Sequence, residues 1–265
     1  MADRRDTPNP EFFQGARAAA VARPAIDLLA TPGGARDRQL LFGDPVTVLG
    51  ETGDHLYLRS DKDGYHGFAH CEGVGPARAA THRVSARATQ VYAAPDIKSP
   101  DVLTLSFGSR LVATATHDRF VETPEGFVPI QHVAPIDRID CDPAAIALLF
   151  LGAPYLWGGN TQDGIDCSGL VQAALLACGV SCPGDSDQQM HALGTPLAPG
   201  SAAQRGDLLF WKGHVAMYVA PDSLVHANAH HMSTVVEPAA DTIERISAQG
   251  GGPVIAHLRP ALPGV

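Results

Sequence analysis

The feature that most constrains the fold of this chain is a glycine-rich loop that leads directly into a helical run. The loop is Leu156–Asn160, the helical run extends from Ser168 to Cys178, and Cys167 lies at the junction. A helix start presents unpaired backbone N–H groups and the positive end of the peptide dipoles, so it favours negative charge. The position predicts a thiol with a lowered pKa, whose thiolate is a nucleophile. A buried and inert cysteine is the alternative, because free cysteines are among the most buried residue types.

The composition sets the class of protein. The 265 residues have room for about two domains, and 45% of them are apolar, which is enough for a buried core. No apolar stretch reaches the length of a membrane-spanning helix, and the first ten residues carry charge without the apolar segment of a secretory signal. The five cysteines are irregularly spaced, unlike a disulfide framework. We therefore predict a cytoplasmic protein with reduced thiols.

The distribution of charge bears on partners. The net charge is -9, and the basic side chains, mostly arginines, are scattered and form no patch. This distribution predicts that neither nucleic acid nor an anionic membrane is a partner. An acidic protein can still bind an acidic peptide locally, so the net charge does not decide the charge of a substrate.

Residues 21–138 show short alternating apolar runs separated by turn residues. Strands this short and closely spaced predict small all-β barrels. Matching pieces indicate that the plan occurs twice, in residues 21–78 and again in residues 79–138. The matching pairs are Leu41–Asp44 with Leu105–Gly108, and Asp63–Phe68 with Glu125–Val128. This arrangement looks like a tandem of bacterial SH3-like domains.

Two local predictions accompany these barrels. Residues 1–20 are expected to be a polar tail that ends in an alanine-rich segment of one or two helical turns, and Asn9-Pro10-Glu11 suits a helix start. The predicted strands of the second barrel are Val84–Ala88, Val102–Leu105, Arg110–Ala113 and Phe120–Thr123.

Residues 139–265 change from helical runs to strands. Asp142 followed by Pro143 is typical of a helix start, because the aspartate caps and the proline has no N–H to leave unpaired. The predicted helices are Ala144–Leu151, Ser168–Cys178 and a short third helix capped by Asp185 or Ser186. The predicted strands are Asp207–Trp211, Val215–Val219, Leu224–His226, Ser233–Glu237 and Val254–Leu258. Helices followed by an antiparallel sheet make an α+β fold.

A nucleophilic cysteine needs a base and a group that orients the base. His214 opens one predicted strand and His226 lies in the next, with a turn at residues 220–223. Pairing centred near residue 220 or 221 places the two histidines opposite or nearly opposite on one face, about 5 Å apart. We predict His214 as general base and His226 as its orienter, with Asn228 as the alternative orienter. An ordinary strand-edge histidine is the other interpretation of His214.

The remaining cysteines and histidines form no metal-binding pattern. Cys178, Cys182 and the pair His230-His231 suggest zinc, but Gly179 and a nearby proline break the helix that would align the thiols. The spacing matches no zinc pattern. We predict neither a metal nor a cofactor.

Six ordered blocks resemble the NlpC family of bacterial cell-wall endopeptidases, which are papain-like cysteine peptidases. The blocks are Gly152–Asn160, Gly164–Gln172, Asp185–Gln189, Arg205–Trp211, His214–Val219 and His226. The resemblance covers residues 140–265, and two preceding SH3-like barrels match a sub-group of the family. Members of that sub-group cleave the bond between γ-D-glutamate and a diamino acid in murein peptides with a free N-terminal L-alanine.

The resemblance implies roles for single residues. The catalytic residues would be Cys167, His214 and His226. Tyr155 would lie near the nucleophile and help to hold the oxyanion, although core packing is an equal alternative. The substrate groove would be lined by Asp166, Ser168, Asp185, Ser186 and, from the first barrel, Tyr65, with Asp44 or Glu51 as the acid for the substrate amine. Helix capping alone also explains Asp166 and Asp185, and Gly184 stands where the family has arginine, which puts a carboxylate contact there in doubt.

These observations leave four functions to compare. The first is a cytoplasmic peptidase that acts on free murein peptides in cell-wall recycling. The second is an exported hydrolase of intact peptidoglycan, and the third is a non-catalytic murein-binding protein. The fourth is an amidase or acyl transferase on the same fold. The presence of Cys167, His214 and His226 together argues against the third, and the absence of a visible secretory signal favours the first.

Overall fold

The computed structural model describes residues 3–198 and 200–263, and the chain forms two compact units, residues 1–138 and 139–265. In the described residues the first unit contains strands and short 3-10 helices, whereas the second combines four α-helices with a six-stranded sheet. The predicted fold class, a papain-like α+β domain preceded by small β-barrels, is confirmed.

Seven antiparallel strands build the first barrel. They are β1 (Arg17–Val21), β2 (Ala25–Leu29), β3 (Arg36–Leu41), β4 (Pro45–Thr52), β5 (His55–Ser60), β6 (His66–His70) and β7 (Val74–Pro76). Their order in the sheet is β3-β2-β6-β5-β4-β1-β7. Apolar side chains on alternate positions point inward and form one core that includes Leu28, Leu40, Leu58 and Tyr65.

The alanine-rich segment near residue 20 is a strand, so the predicted helical turn is wrong. β1 pairs with β4 on one side and with β7 on the other, and Ala19 and Val21 are buried in the barrel core. Pairing on both sides and burial outweigh the helix propensity of alanine here. The predicted start at Asn9 is present as a 3-10 helix, Pro10–Phe12, in which Asn9 accepts the N–H of Glu11.

Eight strands build the second barrel. They are β8 (His82–Val84), β9 (Ala88–Tyr92), β10 (Asp101–Ser106), β11 (Arg110–Leu111), β12 (Ala115–His117), β13 (Phe120–Thr123), β14 (Gly126–Pro129) and β15 (Val133–Pro135). They form a five-stranded sheet, β10-β9-β14-β13-β12, and a three-stranded sheet, β11-β8-β15. The predicted continuous strand Val84–Ala88 is wrong, because β8 ends at Val84 and β9 begins at Ala88. The chain bends at residues 85–87 and passes from one sheet to the other, while Val84 and Val91 pack in the same core.

Each of the two barrels has a 3-10 helix directly before its last strand. Cys71–Gly73 precedes β7, and Ile130–His132 precedes β15. The barrels also touch through the backbone, where the N–H of Arg110 donates to the carbonyl of Phe42 at 2.8 Å. At Gly43 the φ angle is +74°, and a Cβ would lie 2.2 Å from the Arg110 carbonyl oxygen. Only glycine allows this turn and this close approach.

The second unit contains four helices and eight strands in its described part. The helices are α1 (Pro143–Leu149), α2 (Cys167–Ala177), α3 (Ser186–Ala192) and α4 (Ala239–Ala248). The strands are β16 (Asn160–Thr161), β17 (Gly164–Ile165), β18 (Thr195–Pro196), β19 (Leu208–Trp211), β20 (His214–Ala220), β21 (Ser223–Asn228), β22 (Ser233–Pro238) and β23 (Ala256–Arg259). The main sheet has the order β18-β23-β19-β20-β21-β22.

Helix α4 is the one long element of this unit that the sequence analysis missed. Its buried residues Ala239 and Thr242, and the partly buried Ile243 and Ile246 that pack on the sheet, follow the spacing of an amphipathic helix. The pattern was therefore present in the sequence. None of the helices in residues 3–198 and 200–263 has the length and apolar character needed to cross a membrane.

Candidate active site

Cys167 is the first residue of α2, as the loop-to-helix transition predicts. Asp166 fixes this start, because its Oδ1 accepts the N–H of Gly169 at 2.7 Å and its Oδ2 accepts the N–H of Gly158 at 2.8 Å. One carboxylate thus caps the helix and holds the glycine-rich loop against it. A Cβ at Gly159 would lie 2.5 Å from the carbonyl oxygen of Gly164, so the loop can fold this tightly only with glycine there.

The thiol of Cys167 is buried, and its surroundings change the sequence prediction. Burial and, to a smaller extent, the negative charge of Asp166 raise the pKa of Cys167 to about 12. The backbone N–H groups of Val215 and Ser168 act in the opposite direction and do not outweigh the burial. The predicted lowering of this pKa is wrong for the site without substrate. The sulfur is therefore protonated at rest, and a base must take its proton when it attacks.

The two predicted histidines are hydrogen-bonded to each other. Nε2 of His214 lies 2.8 Å from Nδ1 of His226, and the ring centroids are 5.1 Å apart. The register pairs Met217 with Val225, so His214 lies diagonal to His226 on the same face of the sheet. Asn228, the alternative orienter, uses its Oδ1 to accept the N–H of His231 instead.

Two further side chains extend this contact. Nε2 of His226 lies 2.7 Å from Oε2 of Glu237, and the guanidinium of Arg245 donates to the same oxygen at 2.6 Å. Burial alone would raise the pKa of Glu237, but the His226 hydrogen bond and the positive charge of Arg245 bring the pKa below its usual value. The structure therefore holds a continuous chain, His214–His226–Glu237–Arg245.

The hydrogen bonds between these side chains determine which ring nitrogen of His214 and of His226 carries a proton. An ionised Glu237 only accepts hydrogen bonds, so Nε2 of His226 carries a proton and its Nδ1 does not. The unprotonated Nδ1 of His226 accepts a hydrogen bond from the N–H at Nε2 of His214. The remaining nitrogen of His214, Nδ1, is then unprotonated and has its lone pair available to accept a proton.

The acid side of the pH profile should reflect the burial of His214. Burial, the neighbouring His226 and the charge of Arg245 lower the pKa of His214 to about 3. The imidazole then stays neutral as the pH falls through the usual value near 6.5. We expect kcat/KM at pH 5, measured on a defined peptide below its amine pKa, to remain within about twofold of that at pH 6.5. An acid limb centred near pH 6.5 would contradict a buried, neutral base.

The same shift affects stability. Between pH 6.5 and about 3 the unfolded chain binds a proton at this histidine and the folded chain does not, so stability falls as the pH falls through that range. The activity profile is therefore measured together with thermal unfolding at each pH, and only points well below the unfolding temperature are used.

Glu237→Gln tests the outer part of the chain. The neutral amide keeps the shape of the side chain but no longer holds the tautomer of His226 by charge. Removing such an orienting partner is expected to lower kcat by about 10- to 100-fold with little change in KM. Glu244→Gln, an exposed glutamate of α4, is the matched control. Unchanged kcat in Glu237→Gln would contradict this role of Glu237.

Tyr155 lies close enough to Cys167 for their charges to interact. Burial, followed by the charges of Cys167 and Asp166, raises the pKa of Tyr155 to about 12. The phenol is therefore protonated and can donate a hydrogen bond. Its backbone is held by a hydrogen bond from its N–H to the carbonyl of Met232 at 3.0 Å. The predicted oxyanion role stays a prediction.

The other residues predicted for the groove have structural partners. Ser168 donates its hydroxyl to Asp166 at 3.1 Å, and its carbonyl accepts the amide of Gln189 at 2.9 Å. Asp185 occupies the cap position of α3 without a capping hydrogen bond from its side chain, and Ser186 is the first residue of that helix. The two are half-buried. Their contact with substrate stays a prediction.

The first-barrel residues differ in exposure. Tyr65 belongs to the barrel core, and the guanidinium of Arg38 lies 5.2 Å from its ring centroid. Asp44 is buried, accepts the N–H of Leu41 and pairs with Lys62 at 2.7 Å. The side chain of Glu51, in contrast, is 67% exposed and has only a distant ion pair with an arginine. Of the two acids that the sequence could not separate, Glu51 has its carboxylate accessible.

Glu237 and Arg245 were not singled out from the sequence. β22 pairs His226 with Val235, so Glu237 lies two positions further along the same face of the sheet. This relation follows from the predicted strand and could have been found. Arg245 lies on α4, which was not predicted. Across the described ranges 3–198 and 200–263 no three histidine, cysteine or acidic side chains cluster in a way that could hold a metal ion.

Comparison with known proteins agrees with this geometry. The profile of the NlpC/P60 family matches residues 152–247, which include the cysteine, both histidines and Glu237. The second unit is an NlpC/P60 cysteine peptidase domain. A second profile, described as the bacterial dipeptidyl-peptidase SH3 domain, matches residues 28–72 of the first barrel.

Two curated relatives align with parts of both units. Dipeptidyl-peptidase 6 of Lysinibacillus sphaericus is 29% identical over 219 residues, covering 72% of this chain and 79% of the relative. Gamma-D-glutamyl-L-lysine dipeptidyl-peptidase of Bacillus subtilis is 29% identical over 233 residues, covering 77% and 76%. The crystal structure of an NlpC/P60 family protein from Bacillus cereus superposes with a TM-score of 0.76 at 20% identity, covering 93% of this chain and all of the other, which supports the fold.

Proposed function

We propose that this protein is a cysteine endopeptidase that hydrolyses the bond between γ-D-glutamate and a diamino acid in murein peptides. The observation that carries the proposal is the chain from His214 through His226 to Glu237, built in the same domain as a cysteine at a helix start. The names of two relatives, a dipeptidyl-peptidase and a γ-D-glutamyl-L-lysine dipeptidyl-peptidase, support this choice of bond.

The residues present can carry both halves of the reaction. Nδ1 of His214 takes the proton of Cys167, and the sulfur attacks the γ-glutamyl carbonyl carbon. The N–H of Cys167, with the phenol of Tyr155, is the candidate donor set for the oxyanion. The imidazolium then gives its proton to the departing amine, and the C–N bond breaks. Water loses a proton to the same imidazole and attacks the thioester carbonyl carbon, the C–S bond breaks, and the sulfur takes the proton back from the imidazolium.

Free peptides in the cytoplasm are the proposed substrates, with L-Ala-γ-D-Glu-diaminopimelate as the reference compound and cell-wall recycling as the process. Three features support this choice. The resemblance to the sub-group with SH3-like barrels implies a free L-alanine amine, and Glu51 is an exposed carboxylate on the first barrel. The described cysteines form no disulfide, which suits a reducing compartment.

Incubation with defined murein peptides tests the proposal. The purified protein should release L-Ala-γ-D-Glu from the tripeptide, as identified by mass. Acetylation of the L-alanine amine should lower kcat/KM by about tenfold or more if an acid binds that amine. Intact peptidoglycan, offered in parallel, should be cleaved slowly. Cleavage of a different bond, or faster cleavage of intact wall than of tripeptide, would reject the proposal in favour of another hydrolase of the family.

A further inference from the structure

Two buried glutamines hold the segment that joins α2 to α3. This segment, residues 178–185, contains neither helix nor strand, so its backbone carbonyls have no regular ladder to join. The side-chain amide of Gln172, on α2, donates to the carbonyl of Cys182 at 2.9 Å. The amide of Gln189, on α3, donates to the next carbonyl, that of Pro183, at 3.0 Å. The two glutamines are only 2% and 0% exposed, so these contacts lie in the interior.

Gln189 differs from Gln172 because it also reaches the first turn of the catalytic helix. The same Nε2 atom of Gln189 donates to the carbonyl of Ser168 at 2.9 Å. A primary amide carries two N–H donors on one nitrogen, so it can give one hydrogen to each carbonyl. Ser168 directly follows the nucleophile, and Pro183 lies two residues before Asp185. One side chain thus links the start of α2 to the segment in front of α3.

This segment leads into two residues predicted for the substrate groove. The family resemblance assigns Asp185 and Ser186 to that groove, whereas Gln189 belongs to the same sequence block and has no assigned role. The backbone adds a further tie, since the N–H of Gln189 donates to the carbonyl of Asp185 at 2.9 Å. Because the Gln189 side chain is fully buried, it can act on the reaction only through the residues that it holds.

We propose that Gln189 is a positioning residue that sets the substrate groove relative to the nucleophile, and this inference rests on the proposed function. The start of α2 has an anchor of its own, because Asp166 accepts the N–H of Gly169. The start of α3 lacks such an anchor, because the side chain of Asp185 makes no capping hydrogen bond. Loss of the Gln189 amide should therefore release the groove segment and leave the nucleophile in place. Substrate binding should weaken more than the chemical step.

Gln189→Met tests this role, because methionine has a similar length and no N–H donor. On L-Ala-γ-D-Glu-diaminopimelate we expect KM to rise by about tenfold or more, while kcat stays within about threefold of the wild-type value. Gln189→Glu keeps the shape of the side chain and loses at least one of the two donors, so it should change KM in the same direction. Gln204→Met, at an exposed glutamine of the same unit, is the matched control and should leave both constants unchanged.

Two further measurements separate positioning from a general structural effect. The rate at which iodoacetamide alkylates Cys167, followed by peptide mass, reports on the nucleophile in the absence of substrate. This rate should stay within about twofold of wild type in both Gln189 variants. The thermal unfolding midpoint of each variant is measured as well, and kinetics are compared only well below it. A raised KM with an unaltered alkylation rate locates the defect in the groove.

The outcomes distinguish this inference from the proposed function. If the wild-type protein does not cleave the tripeptide, the proposed function is rejected and the role of Gln189 with it. If the wild-type protein cleaves and a folded Gln189 variant keeps its KM, the positioning role is rejected and the peptidase proposal stands. A fall in kcat or in the alkylation rate as large as the change in KM would also reject it. Loss of folding in both variants would make Gln189 a requirement of the fold and would overturn the role in the same way.

Discussion

Cys167→Ala is expected to lower hydrolysis of L-Ala-γ-D-Glu-diaminopimelate by about a thousandfold or more. Alanine removes the only atom that forms the thioester, and no neighbouring hydroxyl is placed at the helix start in its stead, because Ser168 donates to Asp166. Losses of this size are typical when the nucleophile of a covalent mechanism is deleted. The measurement is peptide turnover followed by chromatography and mass.

The fold should survive this change. The Cys167 side chain is small, and the cap of α2 depends on Asp166 and not on the sulfur. We expect the thermal unfolding midpoint to shift by only a few degrees. Cys178→Ala, which removes another buried thiol from the same helix region, is the matched control and should keep most of the activity. If Cys167→Ala retains even a tenth of the wild-type turnover, Cys167 is not the nucleophile.

His226→Ala is expected to lower kcat by about 100-fold or more, and His226→Asn should recover a substantial part of that loss. Alanine leaves Nε2 of His214 without an acceptor, so the ring can turn and can carry its proton on the wrong nitrogen. The amide oxygen of asparagine can accept the same proton and restore the tautomer of His214. The decisive comparison is kcat for the two variants, with KM measured alongside.

Stability must be followed for both variants. His226 is buried beside the charged Glu237, so alanine also leaves a carboxylate facing a cavity and should lower the unfolding temperature. Asparagine leaves a smaller cavity, but the Glu237 carboxylate still loses its contact with the imidazole of His226. Recovery of kcat without recovery of stability would show that the orientation of His214 is what matters. Equal kcat in the alanine and wild-type proteins would remove His226 from the mechanism.

Local patterns predicted the frame of the site well. Asp142, Asp166 and Asp185 each stand at the cap position of a helix, because capping depends on a few adjacent residues. The histidine pair also followed from a short hairpin, whose register is set by the turn.

Features that depend on packing were not predictable from the same patterns. The helix start at Cys167 suggested a lowered thiol pKa, but the pKa depends on burial by β20 and neighbouring segments that are distant in sequence. β1 likewise became a strand only because β4 and β7 flank it. The contact between Glu237 and Arg245 likewise depends on the position of α4, which was not predicted.

The protonated, buried sulfur of Cys167 has a consequence for oxidative stress. Peroxides attack thiolates that are accessible, so a shielded thiol with a raised pKa reacts slowly. Cys71 and Cys141 are exposed and should gain oxygen first when the protein meets mild peroxide, as peptide mass mapping can follow. The nucleophile would become vulnerable only during turnover, so the enzyme should tolerate an oxidant burst best when it is idle.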